Sequence, residues 1–202
     1  MSILSDVKEI QAKVRESMEN GPVTPYYTLP LDKVYDVLNA ALASEIICVL
    51  RYKQHYYMTT SIHQEQLQGL FKEHWQDEQG HLGRIADRIK QLGGVPNFDP
   101  EGITARAFSK FESGHTLADL LREDLLAERV VIKMYGDIVN FFGTADPVTR
   151  RMFEDILKDE EDHADDLADL LYTVDPITGK TVEQFTGDST FKQFNDHSKT
   201  KG

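Results

Sequence analysis

Apolar residues recur at steps of three and four in four long stretches of the chain, the period of a helix with one buried face. The first stripe runs Leu38, Leu42, Val49, Tyr52, Tyr56, with Glu45 inside it. The second runs Leu67, Phe71, His74, Ile85, Ile89, Leu92 and carries Glu78 and His81. The third runs Leu121, Leu125, Ile132, Tyr135, Val139, Phe142 around Glu128, and the fourth runs Phe153, Ile156, Leu167, Leu170 around Glu160 and His163. Local signals bound these helices. The first spans about 31–58. The second spans about 62–92 and stops at Gly93-Gly94, with Pro96 beyond. Thr116 caps the third, which ends at Phe142; Asp146 caps the fourth, with Pro147 at its first helical position and its end near Tyr172. The expected fold class is an all-α four-helix bundle. The 93–115 connection is long enough to return along the bundle, so that the second and third helices run parallel.

Two flanking segments complete the expected organisation. Residues 1–30 hold a short amphipathic helix, with Ile3, Val7, Ile10 and Val14 on one side, ended by Asn20-Gly21-Pro22 and followed by a linker. The bundle occupies 31–172. Residues 173–202, rich in Thr, Gly, Asp and Lys without a helical stripe, are expected to be an extended or flexible tail.

Carboxylates in the middle of four apolar faces need a partner. Their spacing supplies one. Asp77-Glu78-x-x-His81 recurs as Asp159-Glu160-x-x-His163, and each copy is preceded by a lone Glu, Glu45 or Glu128. Each lone Glu is followed seven residues later by a tyrosine, Tyr52 or Tyr135. Residues three apart project from one side of a helix, so the Glu and His of each motif can reach one cation together. One carboxylate on each of two helices and Glu-x-x-His on two more is the ligand set of a di-iron carboxylate bundle. Carboxylate and imidazole suit Fe, with Mn or Zn as alternatives. Two divalent ions would neutralise the four carboxylates. Without metal, the acids would repel one another and take up protons.

The pseudo-symmetry also predicts outer partners: Asp77 accepting from His163, Asp159 accepting from His81, and Tyr52 and Tyr135 donating to a carboxylate across the core. Each has a plainer reading, a solvated acid for the Asp and a core aromatic for the Tyr. His74 reads as a hydrogen-bonded core histidine in preference to a ligand of a third metal. Glu73, Asp124 and Glu161 read as exposed helix acids, with guidance of incoming iron as the alternative. Cys48, Trp75 and Met134 read as packing.

Net charge is −12, from 22 basic and 34 acidic residues, which opposes nonspecific nucleic-acid binding and draws cations. A single cysteine excludes an internal disulfide and a Cys-x-x-Cys site. No apolar run approaches the roughly 20 residues that span a membrane. The N-terminus lacks the charged start and apolar core of a signal peptide, so a cytoplasmic protein is expected.

Over residues 31–172 the chain resembles the ferritin-like superfamily, and within it bacterioferritin and its Dps-like bacterial relatives. The resemblance lies in Leu-Asn-Ala-Ala-Leu-Ala-Ser-Glu (38–45), Glu-His-Trp-Gln-Asp-Glu-Gln-Gly-His (73–81), Leu-Gly-Gly-Val-Pro (92–96) and Asp-Glu-Glu-Asp-His (159–163). It implies that Glu78 and Glu160 bridge two metals, that Glu45 and Glu128 each chelate one, and that His81 and His163 complete a site within one subunit. It implies ferroxidase activity towards Fe(II) with O2 or H2O2, and iron storage or detoxification in a homo-oligomeric cage of twelve or twenty-four subunits. The haem-binding Met of bacterioferritins is replaced by Gln79, so haem is not expected, and no fifth helix is evident after Tyr172. Two other readings stay open. One is a non-storing di-metal oxidoreductase, such as a peroxidase, a manganese catalase or an oxygenase. The other is a bundle that metals merely stabilise.

Overall fold

The computed structural model of the chain describes residues 7–59, 65–114 and 116–174. Six helices follow in order: α1 Val7–Arg15, α2 Leu31–Met58, α3 Glu65–Gln91, α4 Ile103–Arg106, α5 Leu117–Phe142 and α6 Pro147–Val174. No strand occurs among the described residues. The four long ones form the bundle. α2 packs chiefly on α3, and α5 on α6, so the molecule is two helical hairpins face to face.

The helix ends follow the local chemistry. Thr116 and Asp119 form a reciprocal capping box at the start of α5. The Asp146 carboxylate accepts from the Thr149 amide at the start of α6. At the end of α3, the Gly93 and Gly94 amides turn back onto the Lys90 and Ile89 carbonyls. Gly93 takes φ 87°, which favours glycine. A Cβ on Gly94 would sit 2.7 Å from the Tyr35 ring, so the chain crosses α2 where only glycine fits.

Arg88, near the end of α3, donates 3.0 Å bonds to both oxygens of Asp146, which follows the end of α5. The two helices therefore finish at the same end of the bundle and run parallel. Tyr27 of the linker donates to the same Asp146 at 3.0 Å, tying the N-terminal segment to this end.

Three expected details change. The first helix ends at Arg15, because Ser17 leaves helical backbone (φ −139°) and a separate 3-10 turn, Met18–Asn20, leads to Gly21. The long connection contains the short α4, whose Arg106 is held to the carbonyls of Glu101 and Asp99. On α5, the buried face reads Leu121, Asp124, Glu128, Val131, Tyr135, Ile138, Phe142, while Leu125 and Val139 are only partly covered. The stripe is rotated by one position because Asp124 has a buried partner on α2. Residues 1–6 and the tail from 175 onward lie outside the described residues.

The core is in two parts. One end is filled by Leu38, Leu42, Ile85, Ile89, Phe142, Phe153 and Ile156 with their neighbours. The other is filled by Tyr52, Leu67, Phe71, Leu121, Leu167 and Leu171. Burying each such large side chain contributes about 1.5–3 kcal/mol. Between these two apolar blocks lies a polar layer. Among the described residues, no helix is long and apolar enough to cross a membrane.

Candidate metal centre

Six residues converge in the polar layer: Glu45 of α2, Glu78 and His81 of α3, Glu128 of α5, Glu160 and His163 of α6. All are buried. They fall into two overlapping groups whose ligand atoms lie within 4.8 Å of one another. Glu45, Glu78, His81 and Glu160 form one group; Glu78, Glu128, Glu160 and His163 form the other. Glu78 and Glu160 belong to both.

The two rings turn the same way. His81 Nδ1 lies 3.2 Å from Glu160, 3.5 Å from Glu78 and 3.7 Å from Glu45. His163 Nδ1 lies 3.6 Å from both Glu78 and Glu160. The outward nitrogens face the two aspartates of the motif, with His81 Nε2 at 3.3 Å from Asp159 and His163 Nε2 at 3.5 Å from Asp77. In the neutral, metal-binding form of each ring, an Nε2–H directed to a carboxylate would leave the Nδ1 lone pair facing inward. The tyrosines cross the core: the Tyr52 hydroxyl donates to Glu128 Oε1, and the Tyr135 hydroxyl donates to Glu45 Oε1.

After these bonds, eight inward donor atoms have no hydrogen-bond partner: both oxygens of Glu78 and Glu160, Oε2 of Glu45 and of Glu128, and Nδ1 of each histidine. Buried polar atoms are ordinarily satisfied, and each orphan costs about 1–3 kcal/mol. Eight together are not a folding accident. Two cations with four ligands each would satisfy all of them, so the residues fit a metal pair.

The electrostatics are those of a crowded acid cluster. Burial, reinforced by Glu78 and Glu160, pushes the Glu45 carboxyl well above its usual range. Burial together with Glu160 and Glu78 does the same to Glu128. Burial also opposes charge on Glu78, but contacts from Glu45, His163 and His81 outweigh it and hold that carboxyl low. Burial opposes charge on the imidazoles too. The carboxylates around them prevail, raising His163 to about 11 and raising His81 as well. Protons bound in the metal-free centre thus offset the negative charge that two divalent cations would neutralise.

Other sequence expectations resolve differently. Asp124 is not an exposed acid. It is fully buried, accepting from Arg51 Nε at 2.8 Å and facing His55 Nδ1 at 2.7 Å. Arg51 also donates to the Ser109 hydroxyl at 3.0 Å, pinning the long connection to α2. Nothing local in the sequence marks Arg51 and His55, since their partner is some seventy residues away. His74 is buried as expected but not hydrogen-bonded: neither ring nitrogen has a partner. Burial and the neighbouring His163 push its pKa down to about 3, so it is neutral. Glu73 and Glu161 are exposed, as is Gln79. Cys48 is buried beside Arg51, 3.6 Å from its guanidinium.

Comparison with known proteins follows the same lines. A family model described as the ferritin-like domain matches residues 35–176. A bacterioferritin from Desulfovibrio desulfuricans is 30% identical over 132 residues, 65% of this chain and 70% of that protein. A nutrient stress-induced DNA-binding protein from Synechococcus is 26% identical over 142 residues, 69% of this chain and 81% of that protein. Among solved structures, the bacterioferritin-related protein of Bacteroides fragilis, a dodecameric thioferritin, is 31% identical with a TM-score of 0.70, covering 86% of this chain and 95% of that one. With the family model spanning most of the bundle and relatives of both types aligned over it, the chain belongs to the ferritin-like family, beside its bacterioferritin-related and Dps-like members.

Proposed function

We propose that the chain is a ferroxidase that stores or detoxifies iron, taking Fe(II) as substrate at the six-residue centre and oxidising it with O2 or H2O2. The observation that carries this reading is the set of eight buried, unpartnered donor atoms in two groups sharing Glu78 and Glu160. Glu78 and Glu160 would bridge two ions. Glu45 with His81, and Glu128 with His163, would complete the two ends. Each Fe(II) gives up one electron, and the pair reduces one peroxide to two waters with two protons, or one O2 to peroxide.

The chain's own residues set the conditions for that exchange. Asp159 and Asp77 hold the imidazole tautomers so that both Nδ1 lone pairs face the substrate. Tyr52 and Tyr135 each occupy one oxygen of a terminal carboxylate and turn the other inward. Burial and the adjoining Glu128 and Glu45 charges push the two phenols well above their usual pKa, so they remain neutral donors. The apolar blocks on either side keep bulk water from the layer. The exposed acids on α3 and α6 would draw Fe(II) towards it.

The dodecameric assembly of the similar Bacteroides fragilis protein supports a homo-oligomeric assembly here, for which we propose the form of a cage. An aerobic Fe(II) titration of the purified assembly tests the proposal. Continued oxidation with soluble iron far beyond two per chain is the expected result. Saturation near two per chain would replace storage with a di-iron enzyme centre. No oxidation would remove the ferroxidase reading.

A further inference from the structure

Arg51 and His55 of α2 and Asp124 of α5 form a fully buried triad outside both ligand groups. Asp124 accepts from Arg51 Nε at 2.8 Å and faces His55 Nδ1 at 2.7 Å. Its place beside the centre is specific. Asp124 lies one helical turn before Glu128, and Arg51 directly precedes Tyr52, whose phenol donates to Glu128. Two cross-links between α2 and α5 therefore stand next to each other, and one of them ends on a candidate ligand.

The same groups flank the Tyr52 ring. The Arg51 guanidinium lies 5.8 Å from the ring centroid. Phe71 of α3 packs on both Tyr52 and His55, with ring centroids 6.2 Å and 5.6 Å away. The other end of the centre has no such device. The pseudo-symmetry that pairs Glu45 with Glu128 and Tyr52 with Tyr135 also pairs Asp124 with Ala41, Arg51 with Met134 and His55 with Ile138. Ala41 and Ile138 are buried, and Tyr135 meets Phe153 edge-on at 5.2 Å. One end is fastened by charge where the other has apolar packing.

Apolar helix faces tolerate small slips. A carboxylate shared by a buried guanidinium and imidazole does not, because any slip leaves buried charge unpaired; fixing register is the best-attested use of such groups. A slip of one residue, about 1.5 Å along a helix, would carry Tyr52 away from Glu128.

We propose that Arg51, His55 and Asp124 are positioning residues for one half of the centre. They lock α2 on α5 in the register at which Tyr52 turns the free oxygen of Glu128 towards the cation shared with His163. The bonds from Arg51 to the Ser109 hydroxyl and the Lys110 carbonyl extend the lock to the long connection. The proposal rests on the di-metal reading of the six residues.

Zn(II) binding tests it without redox chemistry. A triple variant, Arg51→Met with His55→Ile and Asp124→Ala, gives this end the residues of the other. It leaves no buried charge unpaired, so its metal-free Tm should equal or exceed the parent's. It should nevertheless hold the ion at Glu128 and His163 about 10-fold more weakly, while the ion at Glu45 and His81 keeps its affinity. Calorimetric titration reads the two affinities, and anomalous density in crystals grown at limiting Zn(II) shows which position fills first. Tyr52→Phe should add little in that background, and Tyr135→Phe its full effect. A folded triple variant with parental affinity at both positions, or with both weakened alike, would overturn the proposal and leave the triad a stability element. If the triple variant does not fold, Arg51→Lys takes its place, since it keeps Asp124 paired but loses the guanidinium fork. Weakening confined to the Glu128 end then sustains the proposal, and any other pattern overturns it. A parent chain that binds no pair of Zn(II) ions would overturn the di-metal reading, and the proposal with it.

Discussion

The phenol of Tyr52 on α2 donates to one oxygen of Glu128 on α5 and leaves the other oxygen as an unpartnered donor in the centre. Removing the hydroxyl orphans a second buried oxygen on the same carboxylate. Tyr52→Phe should therefore destabilise the metal-free protein by about 1–3 kcal/mol. It should also slow the first turnover of Fe(II), because Glu128 loses the contact that orients it. Tyr135→Phe should act alike through Glu45. Denaturant unfolding and stopped-flow ferric absorbance measure the two effects, and an unchanged initial rate in both variants would limit the tyrosines to packing.

Asp159 and Asp77 are partly solvent-exposed, so their replacement leaves the core untouched. Asp159→Asn should still weaken cation binding at the His81 end, by about 10–100-fold if it behaves as outer partners of metal-bound histidines do. Asp77→Asn should do so at the His163 end. Competition against a chromophoric chelator reads the affinity. Equal affinities in variant and parent would make both acids ordinary surface groups.

The shifted titrations give the metal-free protein an unusual pH profile. Glu45 and Glu128 carry folded-state pKa values raised above the unfolded ones, so their contribution is full below about pH 4.3 and declines as pH rises. His163, raised to about 11, and His81 have the same sign, and their contribution declines above about pH 6.5. Glu78 has the opposite sign, but its held-down value places its loss at more acid pH. With a chelator present, Tm should thus fall between pH 5 and 9. With Zn(II) the trend should reverse, since binding needs the ligands deprotonated. A metal-free Tm that climbs across this range would contradict the assignment of charges.

Asp124 sits between Arg51 and His55 with no exposure on any of the three. Asp124→Ala would leave a buried guanidinium without its counter-charge, at a cost of about 3–5 kcal/mol. The loss should exceed that of any surface acid, Glu161→Ala for example, in urea unfolding. A change under about 1 kcal/mol would mean that Ser109 and the Lys110 carbonyl suffice for Arg51.

The contrast between Asp124 and Glu78 shows what the sequence can and cannot disclose. Glu78 is legible because its helix carries His81 three residues on and because the whole pattern recurs around Glu160. Two copies of a short-range spacing define a shared focus. The bundle is legible for the same reason, since its stripes, caps and Gly93-Gly94 stop are all local. Asp124 has no local partner, so nothing in its own helix distinguishes it from a solvated acid. The one-position rotation of the α5 face escaped notice with it. His74 escaped in another way: its burial follows from the stripe, but only three-dimensional surroundings reveal that no hydrogen bond meets it.

The two hairpins trade their supporting groups. Glu45 on the first is held by Tyr135 of the second, and Glu128 on the second by Tyr52 of the first. His81 faces Asp159 and His163 faces Asp77 in the same exchange. Each ligand group also borrows one glutamate from the opposite hairpin. Neither half can therefore assemble either four-residue ligand group by itself, and a nascent or partly melted chain would offer a cation no complete seat. On the proposed ferroxidase reading the interlock would act as a safeguard: reactive iron would be held only by a molecule that has completed its fold, with both halves in register.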